Sequence, residues 1–224
     1  PTLGFMRPDY FIRLAEETNL IIPLGEWIIE QAFTDFMTLK EQGSLLNKVS
    51  INISGVQLLN SDMVETVKRA IRNTDIQPEQ IELEITESYI ATNEKKALQT
   101  LQDFRQMNIE LAIDDFGTGY SSMSYLQKLP VTRLKIDKSF VDDLSTSEES
   151  RAIIHAIIAL AKTFNLALTA EGVEDHDQLK FLKQAGCDEV QGYFYAKPLL
   201  LEEIRHFSQT FNALQATECI KSNI

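Results

Sequence analysis

Six short β-rich runs recur along the chain, at 49–54, 81–86, 110–114, 133–137, 166–171 and 189–193, and amphipathic helical patterns fill the intervals between them. Those patterns cover 23–43, 61–74, 93–107, 148–164 and 175–186, and a last helix is predicted from about Leu201, fraying into a polar tail. Strand–helix alternation of this kind predicts a mainly parallel sheet with helices outside it. Within the runs, apolar and polar residues alternate, as in Ile81-Glu82-Leu83-Glu84-Ile85-Thr86 and Arg133-Leu134-Lys135-Ile136-Asp137. Successive strand side chains point to opposite faces, so one face is aliphatic and the other holds Asn52, Glu82, Glu84, Lys135 and Asp137. An open doubly wound sheet is covered by helices on both faces and would be apolar on both. A polar inner face instead predicts a barrel with a polar site at its mouth. The polar residues Asn52, Glu84, Asp114, Lys135, Glu171 and Gln191 crowd toward the C-terminal ends of the runs, the rim where α/β barrels place their chemistry. Any one of them reads equally well as a strand-end hydrogen-bonding group or a helix cap; six together do not.

The chain has 224 residues, 44% of them hydrophobic and 24% charged, which suits one folded domain, predicted over 1–208 with a tail over 209–224. Its apolar stretches are too short to span a bilayer, and nothing at the start reads as a signal peptide. Two cysteines, Cys187 and Cys219, form neither a disulfide framework nor a metal cluster, and Cys187 is expected to be a buried thiol. A cytoplasmic location is expected, with the parent protein open to membrane anchoring. The formal net charge of −12 argues against a surface for a nucleic-acid polymer. It also means that a phosphate-ester substrate would need metal ions or a locally cationic pocket.

The segment Asp114-Asp115-Phe116-Gly117-Thr118-Gly119 is the most informative. Two adjacent carboxylates end a predicted strand, and glycines then free the backbone to turn. Like charges held together are costly without a cation between them, and hard divalent cations take oxygen ligands of the kind Asn52, Glu84, Asp114 and Asp115 offer. An Asx-type turn at Asp115 is the plain alternative. Lys135 among these carboxylates is either a structural ion pair or part of a site. Glu171 continues the inner face, Glu174 either faces the site or caps the next helix, and Gln191 completes the ring. His155, His176 and His206 sit in helical surroundings unlike metal ligands, and no Ser–His–Asp or Cys–His arrangement is evident. Two reaction classes fit: hydrolysis with metal-activated water, or proton abstraction with metal stabilisation of the enediolate.

Asn52-Ile53-Ser54 with Gln57-Leu58, Glu84-Ile85-Thr86-Glu87-Ser88, the 114–122 segment, Leu134-Lys135-Ile136-Asp137, Ala170-Glu171-Gly172-Val173-Glu174, Gln191-Gly192-Tyr193 and Lys197-Pro198-Leu199 resemble, in order and spacing, the successive motifs of EAL domains. The resemblance runs from about Pro8 to Leu199. It implies a TIM-like (β/α)8 barrel with one antiparallel strand. It also implies a phosphodiesterase that opens cyclic di-GMP to linear pGpG with Mg2+ or Mn2+, two ions in all. By the same resemblance Asn52, Glu84, Asp114 and Asp115 match metal ligands, and Lys135 and Glu171 match residues that orient or deprotonate the attacking water. Gln191 matches a residue at the water and metal site, Glu174 a supporting acid beside the lysine, and Glu87 a residue steadying the loop after Asp115. Gln57, Asp137, Lys138 and Pro198 match substrate-binding positions, with Lys138 standing where the family often has arginine. A homodimer through the 121–128 segment, with Met123, Tyr125 and Leu126 as contact surface, and upstream regulatory domains such as GGDEF or PAS are implied as partners.

The motif that names the family, with a glutamate ligand, lies upstream of Pro1, and six runs rather than eight match that shortage. A polypeptide lacking those strands is expected to bind metal weakly and to hydrolyse cyclic di-GMP negligibly. A receptor that binds cyclic di-GMP without cleaving it is the alternative, and a Mg2+-dependent proton-abstracting barrel enzyme is the remote one.

Overall fold

Each strand of the sheet lies beside the strand that follows it in the chain. The structure, a computed structural model, describes residues 6, 8–60, 62–86, 94–118 and 126–221. Two helices, α1 (Pro8–Glu17) and α2 (Ile21–Glu41), precede β1 (Val49–Asn52). Then come α3 (Gly55–Asn60), α4 (Met63–Thr74), β2 (Ile81–Thr86), α5 (Glu94–Gln106) and β3 (Glu110–Phe116). The chain continues through β4 (Arg133–Ile136), α6 (Lys138–Asp142), α7 (Glu148–Thr163), β5 (Ala167–Ala170), α8 (His176–Ala185), β6 (Glu189–Val190) and α9 (Leu201–Lys221). The six strands form one sheet in the order β1 to β6, every neighbouring pair parallel, and the sheet curls into a half-barrel. Among the described residues no strand is antiparallel.

All six predicted strands and all the predicted helices are present, with shifted ends. The predicted strand 189–193 shortens to two residues, because Gly192 packs directly on the backbone of Val173 and turns the chain away from the ladder. Helix α9 runs through 208–209, where the domain limit was drawn. The sequence did not announce α1, α3 or α6.

Period-2 alternation decides which way each strand faces. Leu83, Leu111, Ile113, Leu134, Ile136 and Leu168 point outward and are buried, with Phe33, Val67, Leu101, Phe104 and Ile158 of the surrounding helices in the same core. Burying aliphatic side chains of this size stabilises the fold by roughly 1.5–3 kcal/mol each. Local chemistry fixes the helix ends. Asp175 starts α8 by accepting hydrogen bonds from the Asp177 and Gln178 amides, and Gly186 ends it with φ +92°, a left-handed conformation that favours glycine. Leu126, expected at a dimer surface, is buried in the core, while Met123 and Tyr125 lie outside the described residues. Cys187 is half-buried rather than buried, and burial pushes its thiol up to about 11.

Candidate active site

The inner face of the half-barrel is built in two charged layers. In the lower layer the buried Arg133 guanidinium donates to Glu82 at 2.8 Å and Thr169 at 2.9 Å and pairs with Glu189 at 2.8 Å. Lys48 pairs with Glu110 and lies 3.7 Å from Glu82. This layer holds the strands together below the site. Sequence reading placed only Glu82 on the inner face and missed Arg133.

Two residues further along β2 and β4 lies the upper layer. The Lys135 ammonium is 3% exposed and stands 2.6 Å from Glu84, 3.1 Å from Asp114 and 2.5 Å from Glu171. Burial by itself lowers the lysine's pKa, but Glu84, the hydrogen bonds to Glu171 and Glu84, and Asp114 outweigh it and hold the pKa above the usual lysine value. Its three carboxylate neighbours thus favour the charged form of Lys135. Glu171 and Glu84 both shift upward, mainly through burial, with Lys135 pulling the other way.

Asp114 and Asp115 reach this cluster together through an irregularity in β3. A regular strand would send adjacent side chains to opposite faces. Here Ile113 pairs with Leu134 and Phe116 with Ile136, so β3 carries one residue more than β4 over the same interval. Asp115 sits at that bulge with φ +55°, a left-handed conformation that Asp tolerates better than most residues. The strand continues to Phe116 rather than ending at Asp114 as predicted, and the bulge, not a relaxed strand end, brings the two carboxylates together.

Carboxylate oxygens of Asp114, Asp115 and Glu171 lie within 4.8 Å of one another. A cavity of about 820 Å³ opens beside them, lined by Asn52, Thr86, Asp114, Asp115 and, from α1, Arg13 and Glu16. The residues present fit a divalent cation by the chemistry of the donors, which are hard oxygens; Asp114 Oδ1 is buried, faces the Lys135 ammonium at 3.1 Å and accepts no hydrogen bond of regular geometry among the described residues. Glu171 lies in this group of carboxylates, and Glu84 stands beside Lys135. Asn52 is exposed at the cavity and pairs in register with Glu84.

The remaining candidate residues are placed as follows. Glu174 pairs with Lys138 at 2.9 Å rather than supporting Lys135, because it lies in the turn before α8, whose cap is Asp175. Gln57 is 3% exposed, accepts from the Ser54 amide and packs so tightly on Gly25 of α2 that a Cβ there would meet it at 1.8 Å. It also lines a cavity together with Asn52 and Thr86, between β1 and α2. Asp137 caps α6 through the Ser139 amide and lies close enough to Asp115 to raise its pKa. Gln191 and Pro198 are exposed and line one cavity past β6. Glu87 lies outside the described residues. Arg13 and Glu16 were not foreseen, since α1 itself was not.

Burial, then the carboxylates of Asp114, Asp137 and Glu171, push the Asp115 carboxyl up to about 6. A metal ligand must be ionised, so divalent affinity is expected to be full above that value and to fall as pH drops through it, about tenfold per unit for one displaced proton. The metal-free protein should trend oppositely. A folded pKa raised from 3.8 contributes stability that is present below the unfolded value and lost as pH rises through about 6. Calorimetric Mn2+ titrations at pH 7.5, 6 and 5 check the first trend and urea unfolding in EDTA the second; pH-independent affinity would count against Asp115 as a ligand.

A family model described as EAL domain matches residues 1–198. The bifunctional diguanylate cyclase/cyclic di-GMP phosphodiesterase MucR of Pseudomonas aeruginosa is 36% identical over 204 residues, 91% of this chain and 30% of that protein. The cyclic di-GMP phosphodiesterase NbdA of the same organism is 37% identical over 211 residues, 94% of this chain and 27% of that protein. A solved structure described as the PaMucR phosphodiesterase in complex with c-di-GMP superposes with a TM-score of 0.87 at 36% identity, covering 91% of this chain and 83% of that one. The chain thus spans under a third of the length of these curated relatives.

Proposed function

The chain belongs to the EAL domain family, and on that premise we propose that it is a metal-dependent phosphodiesterase that opens cyclic di-GMP to linear pGpG. The observation that carries the reading is the carboxylate cluster of Asp114, Asp115 and Glu171 around a buried lysine, beside an open cavity. Asp114, Asp115 and Glu171, with Asn52 and Glu84 at the edge, would hold Mg2+ or Mn2+, two ions in the full reading. Divalent ions bound there supply charge for the phosphodiester oxygens and make water a stronger acid. That charge also answers the difficulty of bringing a phosphate ester to a chain of net charge −12.

The chain's own residues divide the rest of the work. Lys135 keeps its proton, directs its N–H groups at Glu84, Asp114 and Glu171 to fix them in place, and sets a positive charge close to the developing negative charge. Glu171, with its pKa raised by burial, is the carboxylate that takes the proton from the attacking water. Gln191 stands at the rim as a neutral hydrogen-bonding side chain for water or substrate. Lys138, held by Glu174, offers a point charge to a phosphate, where an arginine would offer two parallel hydrogen bonds. The reading extends to the domain limit at 208, a homodimer, upstream regulatory domains and a cytoplasmic site of action.

In the native polypeptide, cyclic di-GMP with Mn2+ or Mg2+ is expected to yield pGpG by ion-exchange chromatography, and EDTA is expected to stop the reaction. Binding without turnover would replace the enzyme with a receptor. Neither binding nor turnover would overturn the substrate.

A further inference from the structure

The lower charged layer is in step with the site above it. Residues two apart on a strand share a face. Asn52, Glu84, Asp114, Lys135, Glu171 and Gln191 thus stand two positions beyond Ser50, Glu82, Ala112, Arg133, Thr169 and Glu189. Glu171 and Gln191 continue the ladders of β5 and β6, their amides donating to Ile136 O at 3.1 Å and Ala170 O at 2.8 Å.

The lower residues form a belt with Arg133 at its centre. The Ser50 hydroxyl donates to Glu82 at 3.0 Å. Arg133 Nε donates to Glu82 at 2.8 Å, and one terminal nitrogen donates to the Thr169 hydroxyl at 2.9 Å. The two terminal nitrogens face the two Glu189 carboxylate oxygens at 2.8 and 3.1 Å. Strand β3 lies between β2 and β4, yet the guanidinium reaches Glu82 on β2. Ala112 of β3 is in register with Arg133, and its fully buried methyl group leaves room for that crossing. A guanidinium is a planar fork with five N–H donors, so it holds several partners in set directions, where an ammonium is a point charge.

We infer that Arg133 is a positioning residue for the site above it. Its three grips fix β2, β5 and β6 about β4. Through the next residue on the same face of each strand, they set the approach of Glu84 and Glu171 to Lys135 and the place of Gln191. The inference rests on the reading of the carboxylate cluster as a divalent-cation site. The charge of Arg133 alone predicts the opposite effect. A cation beneath a cation site repels the ion, so losing that charge would tighten Mn2+ binding. Losing the grip loosens it.

The test is calorimetric Mn2+ affinity and amide hydrogen exchange in EDTA, on the native polypeptide and its Arg133→Met, Arg133→Lys, Thr169→Val and Glu189→Gln variants. Urea unfolding in EDTA gives the folded fraction of each. Arg133→Met is expected to weaken Mn2+ binding by the folded protein roughly tenfold, the low end of what losing an outer partner of a metal site costs. It should also speed exchange of the Gln191 amide beyond that of the β2–β3 ladder. Arg133→Lys keeps the charge and should recover little of the affinity. Thr169→Val frees β5 alone and should weaken Mn2+ binding by a smaller factor. Glu189→Gln, at a side chain 59% exposed, should speed Gln191 exchange and leave Mn2+ affinity nearly unchanged. These two single-arm variants decide the matter if Arg133→Met does not fold. Unchanged or tighter Mn2+ binding in the folded Arg133→Met and Thr169→Val proteins, or full recovery in Arg133→Lys, would overturn the positioning role and leave the metal site standing. A native polypeptide that takes up no Mn2+ would overturn both.

Discussion

Asp114→Asn is expected to lower metal-supported hydrolysis of cyclic di-GMP by on the order of a hundred- to a thousandfold or more, with the fold kept. Losing one preorganised electrostatic group from a site of this kind typically costs that much, and Asp114 serves two neighbours, since its carboxylate faces both Lys135 and the Asp115–Glu171 pair. The substitution is nearly isosteric and removes one like charge from a crowded cluster. Thermal unfolding in EDTA should therefore show a midpoint at or slightly above that of the unsubstituted protein. Full activity in Asp114→Asn would remove Asp114 from the metal-holding set.

Lys135→Met should have the largest effect on stability. Three carboxylates within 3.1 Å of the ammonium would be left without it, two of them on side chains that are buried. Removing one partner of a buried ion pair costs about 3–5 kcal/mol, because the remaining charges stay desolvated and uncompensated. Millimolar Mn2+ should recover part of this loss, and by more than it stabilises the unsubstituted protein, since a divalent ion then supplies charge that the lysine no longer does. Urea unfolding with and without Mn2+ measures both terms. Activity should remain at least about a hundredfold down even with the metal added, because the charge fixed on Lys135 is still missing. A variant as stable as its parent in EDTA would show that the cluster is not held by its lysine.

The alternating strands were legible because period-2 patterning is strong where one sheet face is aliphatic and the other charged, as in Ile81–Thr86. The C-terminal crowding of Glu84, Asp114, Lys135 and Glu171 was legible for the same reason, and the structure brings those four into contact. Helix α1 escaped although Phe11, Ile12 and Ala15 share its covered side, because it has only ten residues and also carries the exposed apolar residues Tyr10 and Leu14. Helices α3 and α6 have six and five residues, too short for a 3.6-residue period to repeat. The bulge in β3 left no mark because its left-handed residue is an aspartate, where glycine would have given a signal. The pairing of Glu174 with Lys138 depends on how two loops meet, which spacing along the chain does not encode.

Because sheet order follows chain order, the strands that carry the site emerge during synthesis in the order in which they lie in the sheet. β2 and β3 become available before β4, so Glu84 and Asp114, two positions apart in register on one face, precede Lys135. Until then Lys48 is the cation near Glu82 and Glu110 among the described residues, and Glu84 and Asp114 repel each other on the same face. The arrival of β4 supplies Arg133 for Glu82 and Lys135 for Glu84 and Asp114 in one step. The fourth strand thus completes a charge balance that Lys48, ahead of β1, begins at Glu82 and Glu110.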